Sequence, residues 1–140
     1  QSIAGLTVTD HRFSPVLAFT GRVGLALLFL LGATNKIINY SMTHARMEQA
    51  GLVPADVLLP LTIALEAIGG ALIVVGRGRW ILGAACALAV FTLATNWFFH
   101  PFWRFDGTMQ RLELSLFFKN IAITGALLYV GATENRDQVR

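Results

Sequence analysis

Several ionisable and amide side chains lie within otherwise apolar stretches of this 140-residue chain. The residues whose chemistry is most useful are Lys36, Glu66, His100, Lys119 and Asn120. Glu66 and His100 can exchange protons, and the lysines and the amide can stabilise a carbonyl or negatively charged oxygen. Because a charged group in hydrocarbon is costly, each needs a partner or a wet cavity. The residues therefore define either internal ion pairs or a site for a small polar ligand.

The apolar stretches around these residues are long enough to cross a membrane. A spanning helix needs about 20 residues to cross about 30 Å of hydrocarbon. The composition agrees, because 14% of the residues are charged, against roughly 25% in a soluble domain. We predict an all-α fold, a four-helix transmembrane bundle that forms a single membrane domain over residues 1–140. The predicted spans are about 15–38, 55–75, 80–99 and 112–130, with polar termini at 1–14 and 131–140.

The connections and the small residues predict how the spans are arranged. Residues 76–79 form a very short connection, so the second and third spans make an antiparallel hairpin. The longer segment from about Tyr40 to Pro54 mixes polar and apolar residues, and we expect a short interfacial helix within it. Small residues let membrane helices approach closely. The predicted packing surfaces are Gly24, Gly32, Ala67, Gly70, Ala71, Gly83, Ala84 and Ala87.

The basic residues predict the orientation of the bundle. With four spans, both termini lie on one side of the membrane. That side carries Arg12, Arg77, Arg79, Arg136 and Arg140, whereas the opposite loops carry Arg46, Arg104 and Arg111. The positive-inside rule then places both termini in the cytoplasm. Lys36, at the other end of the first span, reduces the excess of basic residues on the side of the termini. The arginines are not clustered, so we expect the lipid bilayer and no nucleic acid as a partner.

Glu66 is the deepest of the candidate residues. It lies eleven residues after Ala55, about 16 Å along a helix and near the midplane. Lys119 lies seven residues into the fourth predicted span, about 10 Å from the same side of the membrane. Lys36 and His100 lie near span ends on that side. Four spans thus send a charged or titratable group towards the outer half of the bundle.

A structural explanation of this cluster is that Glu66 neutralises Lys36, Lys119 or Arg22 and fixes the register of the helices. Arg22 precedes Lys36 by fourteen residues, nearly four helical turns, so both project from one face of the first span. Long basic side chains near helix ends can also reach water without a partner. The cluster would then reflect only ion pairing or crowded helix ends.

A functional explanation is a polar pocket that binds a quinone-like headgroup or relays protons. One deep carboxylate with several cations leaves a positive surplus, which suits a carbonyl, phenolate or anion. The catalytic candidates are Glu66 and His100, and the ligand-binding candidates are Lys36, Lys119, Asn120 and Arg22. No histidine pair has the spacing of a metal or haem site, so we expect no metal and no covalently bound cofactor.

Six stretches of the chain, taken in order, resemble the DoxX family of small four-helix membrane proteins. The likeness covers about Gly21 to Gly131. Its stretches are Gly21-Arg22, Phe29 to Lys36, Gly51 to Pro54, Leu65 to Gly70, Phe98 to Trp103, and Phe117 to Asn120 followed by Gly125. Members of this family are linked to thiosulfate:quinone oxidoreductase, as the quinone-facing membrane subunit. Others are associated with a membrane oxidoreductase complex that includes superoxide dismutase and a sulfurtransferase.

The resemblance implies a bacterial inner-membrane protein with a quinone as ligand, other membrane subunits and a periplasmic redox partner. Our first hypothesis is therefore a membrane subunit of a quinone-linked redox system, with Lys36, Glu66, His100, Lys119 and Asn120 lining the pocket. Any enzymatic activity would be that of an oxidoreductase subunit. One alternative is a non-catalytic accessory subunit of a larger respiratory or photosynthetic complex. Another is a small transporter.

Overall fold

The computed structural model describes residues 14–136, which form an all-α bundle. Its helices are α1 (Ser14–Ile38), α2 (Tyr40–Gln49), α3 (Ala55–Val75), α4 (Arg79–Phe99) and α5 (Gly107–Arg136), with a 3-10 turn at Phe102–Arg104. α1, α3, α4 and α5 are each long and apolar enough to cross a membrane. The predicted fold of four long helices, with a short helix in the first loop, is confirmed. Residues 1–13 and 137–140 of the predicted polar termini lie outside the described residues.

α5 is longer than the fourth predicted span at both ends. It begins at Gly107 instead of 112, and it continues to Arg136 instead of 130. Gly107 has a positive φ of 61°, which glycine adopts without strain. The first turn is polar and the last turn carries charges, so hydropathy did not mark either as helical. Part of the predicted polar C-terminus, residues 131–136, is therefore the end of a helix.

The four long helices are arranged in the order α1, α3, α4, α5 around the bundle. α1 packs along α3, and α4 packs along α5. The contact between α3 and α4 joins these two pairs. α1 and α5 touch over a short length only, so this seam of the bundle is the least closed. We call the end where residues 76–78 connect α3 to α4 the hairpin side. The opposite end, where α2 and residues 100–106 lie, is the α2 side.

Two adjacent glycines let α3 pack closely on both of its neighbours. A Cβ atom at Gly69 would lie 2.9 Å from Cγ of Leu88 on α4, and one at Gly70 would lie 3.1 Å from Cγ of Leu30 on α1. The Gly70 surface predicted from the sequence therefore packs as expected. Gly24 and Gly83 do not, because a Cβ atom at either would meet nothing within 4 Å. Both positions are exposed and lie beside open grooves on the bundle surface.

A fully apolar core separates the polar groups at the two ends of the bundle. It is built from buried residues of all four long helices: Ala26, Phe29, Ile73, Ile81, Ala84, Ala85, Leu88, Ala89 and Leu127. A smaller cluster of Met47, Ala55 and Leu59 holds α2 against the start of α3. His44 of α2 adds a contact of 2.9 Å between its Nε2 and Oδ1 of Asp56. These contacts fix α2 beside the end of the bundle.

Candidate functional site

Lys36 and Glu66 form an ion pair between α1 and α3. Nζ of Lys36 donates to both carboxylate oxygens of Glu66, at 2.9 and 2.8 Å. The Glu66 side chain is 7% exposed and that of Lys36 is 23% exposed. One of the partners expected for Glu66 from the sequence is therefore the one observed. The pair lies in the α2-side half of the bundle, as predicted for the polar cluster.

The direction of the two helices brings these side chains together. Side chains on a helix tilt towards its N-terminus. Lys36 is near the C-terminal end of α1, so it points back into the bundle. α3 runs the opposite way, and the same tilt directs Glu66 towards the α2 side and Lys36. The antiparallel packing thus brings the Lys36 and Glu66 side chains into contact, although the two residues lie at different depths in the bundle.

Gly32 and Phe91 complete the surroundings of the pair. Gly32 lies one turn before Lys36, and a Cβ atom there would lie 3.0 Å from Oε1 of Glu66. Glycine at this position therefore makes room for the carboxylate against α1. The ring centroid of Phe91 on α4 is 6.0 Å from Nζ of Lys36. An ammonium group has three N–H donors. Two are used on Glu66, and no described residue accepts the third.

A second polar group joins α4 to α5 on the same half of the bundle. Nδ2 of Asn120 donates to Oδ1 of Asn96 at 3.0 Å, and Nδ2 of Asn96 donates to the carbonyl of Phe117 at 3.2 Å. Immediately after the end of α4, Nδ1 of His100 lies 2.8 Å from Oε2 of Glu113. The four side chains form polar contacts along one helix interface. Asn120 and His100 therefore bind other side chains of α4 and α5, and neither pairs with Lys36 or Glu66.

Asn96 and Glu113 were absent from the predicted site. Asn96 is 1% exposed, and His100, the residue that follows α4, comes four residues after it, about one helical turn along the chain. This spacing is the sequence feature from which Asn96 could have been assigned to the same polar group as His100. The predicted start of the fourth span at about residue 112 places Glu113 in the first turn of that helix, where a carboxylate is stabilised by the helix dipole. The true start at Gly107 moves it into the second turn, where it reaches His100.

Arg22 lies at the other end of the bundle and binds the C-terminal end of α3. Its Nε donates to the carbonyl of Ile73 at 2.7 Å, and its Nη2 donates to those of Val74 and Gly76 at 2.7 and 3.1 Å. The last carbonyls of a helix have no partner within it and carry its negative dipole end. Nη1 also donates to Glu134 of α5 at 3.3 Å. Arg22 thus joins three helices and is not part of the Lys36–Glu66 site.

Lys119 is exposed on the outer surface of α5. The structure does not bring it to Lys36 or Glu66, so the six predicted site residues do not form one pocket. Three surface cavities of about 560, 490 and 440 Å³ are lined by other parts of the bundle; of the six, only Arg22 contributes to them. Among the described residues, no group of three or more His, Cys, Asp or Glu side chains is placed to hold a metal ion.

Comparison with known proteins identifies the family of the chain. Residues 17–101 match the DoxX family. This region includes Lys36, Glu66 and His100 and ends before α5. The chain is also similar to the inner membrane protein YphA of Escherichia coli strain K12, with 25% identity over 119 residues, 85% of this chain and 84% of YphA. No solved structure matches. The chain is a multi-pass integral membrane protein that belongs to the DoxX family.

Proposed function

We propose that this protein is a membrane subunit of a quinone-linked redox system, in which Lys36 and Glu66 contact the quinone headgroup. The observation that carries the proposal is the Lys36 ammonium, which lies inside the membrane region with one N–H donor that no described residue accepts. Ionisable groups in a membrane span are costly and commonly mark ligand or proton sites.

The groups present fit a quinone headgroup. A quinone carbonyl oxygen can accept the free N–H of Lys36, and the Phe91 ring offers an apolar surface beside it. The 23% exposure of the Lys36 side chain leaves the ammonium reachable from outside the bundle. When bound, a quinone accepts two electrons and two protons. Lys36 would stabilise negative charge on its oxygen, and Glu66 would exchange a proton there.

His100 and Glu113 lie nearer the α2-side end of the bundle. His100 follows the last residue of α4, and its side chain is 26% exposed. This pair would exchange protons with water, whereas Glu66 would do so with the ligand. The electron donor would be a periplasmic partner protein, and the α2 side would face that partner. This arrangement requires both termini to be cytoplasmic, as the distribution of arginines predicts.

Tryptophan fluorescence can test quinone binding and its location in one titration. Trp97 and Trp103 lie on the α2 side, with ring centroids 4.9 Å apart, and Trp80 is the second residue of α4, on the hairpin side. We expect decylubiquinone to quench the purified protein saturably. A Trp80→Phe variant, which keeps the α2-side pair, should retain this quenching. A Trp97→Phe/Trp103→Phe variant should lose the saturable component.

Variants of the ion pair supply the control. Lys36→Met and Glu66→Gln should abolish saturable quenching, and Lys119→Met should leave it unchanged because Lys119 lies on the outer surface of α5. Circular dichroism would show that each variant keeps its helix content. Quenching that is linear in quinone for the unmodified protein, or unaffected by Lys36→Met, would exclude the proposed site.

A second candidate function is that of an accessory subunit in a larger complex. The least closed seam of the bundle favours it. Gly24 of α1 lines the cavity of about 440 Å³ between α1 and α5. A Cβ atom at Gly24, or at Gly125 of α5, would meet nothing within 4 Å. Native purification with mass spectrometry would reveal stable partner subunits, and Gly24→Leu should release a partner helix that packs there.

The transporter alternative is not favoured by the described residues. A transporter needs a polar route through the bundle. Here the apolar core, which includes Phe29, Ile73 and Leu88, lies between the Lys36–Glu66 pair and Arg22. Uptake of a small anion into vesicles that depends on Lys36 would reverse this assessment.

A further inference from the structure

An apolar groove runs along the outer surface of the bundle between α3 and α4. It has a volume of about 560 Å³ and extends from the hairpin side. The wall from α3 consists of Ala64, Leu65, Ile68, Gly69 and Leu72, and the wall from α4 consists of Arg79, Trp80, Gly83, Ala84 and Ala87. Arg79 is the one charged residue in this lining, and it lies at the end of the groove.

The small residues of α4 keep the groove open. A Cβ atom at Gly83 would meet nothing within 4 Å, so no described side chain fills the space beside it. Eight residues separate Ala64 from Leu72 on α3, and eight separate Arg79 from Ala87 on α4. This corresponds to about 12 Å along each helix, against about 15 Å for half of the hydrocarbon core. The groove therefore spans most of one leaflet.

The hairpin end of the groove is positively charged. Arg79 is in the first turn of α4, where the helix dipole disfavours a cation unless an anion lies nearby. Arg77 lies two residues before it, in the connection between α3 and α4, and is exposed. Glu134, the acidic residue of the described hairpin side, is engaged by Arg22. Trp80 follows Arg79, and tryptophan is enriched at the level of lipid headgroups.

We propose that this groove binds an anionic phospholipid. One acyl chain lies along the groove between α3 and α4, and the phosphate of the headgroup lies against Arg79 and Arg77. The groove fits an acyl chain that enters from the hairpin side. The charged end of the groove lies at the level of the lipid headgroups, and the rest of its lining is apolar. Basic pockets between membrane helices bind acidic lipids in this manner. The proposal concerns a different face from the Lys36–Glu66 pair and does not depend on quinone binding.

Native mass spectrometry of the full-length protein in detergent would test the proposal. The probes are dioleoylphosphatidylglycerol, which is anionic, and dioleoylphosphatidylcholine, which has the same chains and no net charge. We expect the unmodified protein to bind the anionic lipid at least about fivefold more tightly, the factor that corresponds to about 1 kcal/mol for one basic residue at the surface. Arg79→Gln should reduce the affinity by about the same factor.

Two matched pairs of variants separate the headgroup from the acyl chain. Arg104→Gln removes an exposed arginine from the α2 side and should leave binding unchanged. Gly83→Leu fills the groove and should weaken binding of both lipids, whereas Gly125→Leu, at another open position, should not. A monodisperse elution profile would show that each variant folds.

Three results would overturn the proposal. The first is equal affinity of the unmodified protein for the two lipids. The second is an Arg79→Gln variant that binds the anionic lipid as tightly as the unmodified protein. The third is a Gly83→Leu variant with unchanged lipid affinity; an altered oligomeric mass of the same variant would identify a protein helix as the occupant of the groove.

Discussion

The Lys36–Glu66 pair should stabilise the fold asymmetrically. Replacing Lys36 by Met leaves the Glu66 carboxylate without its ammonium partner at a position where its side chain is 7% exposed. Replacing Glu66 by Met leaves the Lys36 ammonium, which is 23% exposed and lies two residues before the end of α1. The lysine can turn towards water at the α2 side, because its side chain is long and flexible. The Glu66 side chain is shorter and more deeply buried, so it cannot turn towards water in this way.

The expected magnitudes follow from this difference. Breaking a buried ion pair by removing one partner costs about 3–5 kcal/mol, and we expect Lys36→Met to fall in this range. Glu66→Met should cost about 1.5–3 kcal/mol, the value of hydrogen bonds to a charged group. The double variant replaces the pair by apolar side chains of similar size, which is often close to neutral. Because the double variant costs little, the coupling energy should approach the sum of the two single costs, about 4.5–8 kcal/mol.

Reversible unfolding in mixed detergent micelles would measure these free energies. Lys119→Met is the matched control, because it removes a lysine from the outer surface of α5 and should change stability by about 0.5 kcal/mol or less. The predicted asymmetric coupling of Lys36 and Glu66 is refuted if the costs of the two single variants add in the double variant to within about 0.5 kcal/mol. It is also refuted if Glu66→Met is the more damaging change.

Three further predictions concern other positions of the bundle. Gly32→Ala should destabilise the protein by about 1–3 kcal/mol, because its Cβ would lie 3.0 Å from Glu66. Gly24→Ala should be neutral, because that position is open. Thermal unfolding of the two variants compares them directly. Asn96→Leu should cost about 0.6–1.7 kcal/mol, the range of hydrogen bonds between membrane helices, as measured by the same unfolding assay. Arg22→Lys keeps the charge but loses the planar set of N–H donors to α3. It should therefore lower the free energy of unfolding by about 1.5–3 kcal/mol and increase proteolysis at the connection between α3 and α4. An unchanged digestion pattern would contradict the capping role.

Most of the fold could be predicted from the sequence, because length and hydropathy define a spanning helix without reference to its neighbours. α3 begins and ends where the pattern predicts, at Ala55 and Val75. The side and depth of Glu66 also follow from counting residues. The ends of α5 could not be predicted in this way, because its polar first turn carries no apolar signal. Helix ends beyond the hydrocarbon boundary are determined by capping and tertiary contacts.

The partners of the polar residues could not be predicted, because they depend on how each helix is rotated. Lys119 and Asn120 are adjacent in α5, yet Asn120 binds Asn96 while Lys119 faces outwards. Successive residues on a helix point about 100° apart. A membrane helix that is apolar on every side gives no stripe from which to read its rotation. For the same reason, the depth of Arg22 indicated its side of the membrane and not its contact with the end of α3.

The central position of Glu66 also has a consequence for how the protein enters the membrane during synthesis. At the moment of insertion, an acidic residue near the middle of a helix opposes partitioning by about 2.5–3.5 kcal/mol. α3 has the highest mean hydropathy of the four spanning helices. It contains eleven Leu, Ile and Val residues, which together favour insertion by about 3–7 kcal/mol. This surplus offsets the carboxylate, so α3 can enter the bilayer by itself. α1 has been synthesised by then, and Lys36 can meet the carboxylate as soon as the two helices are side by side.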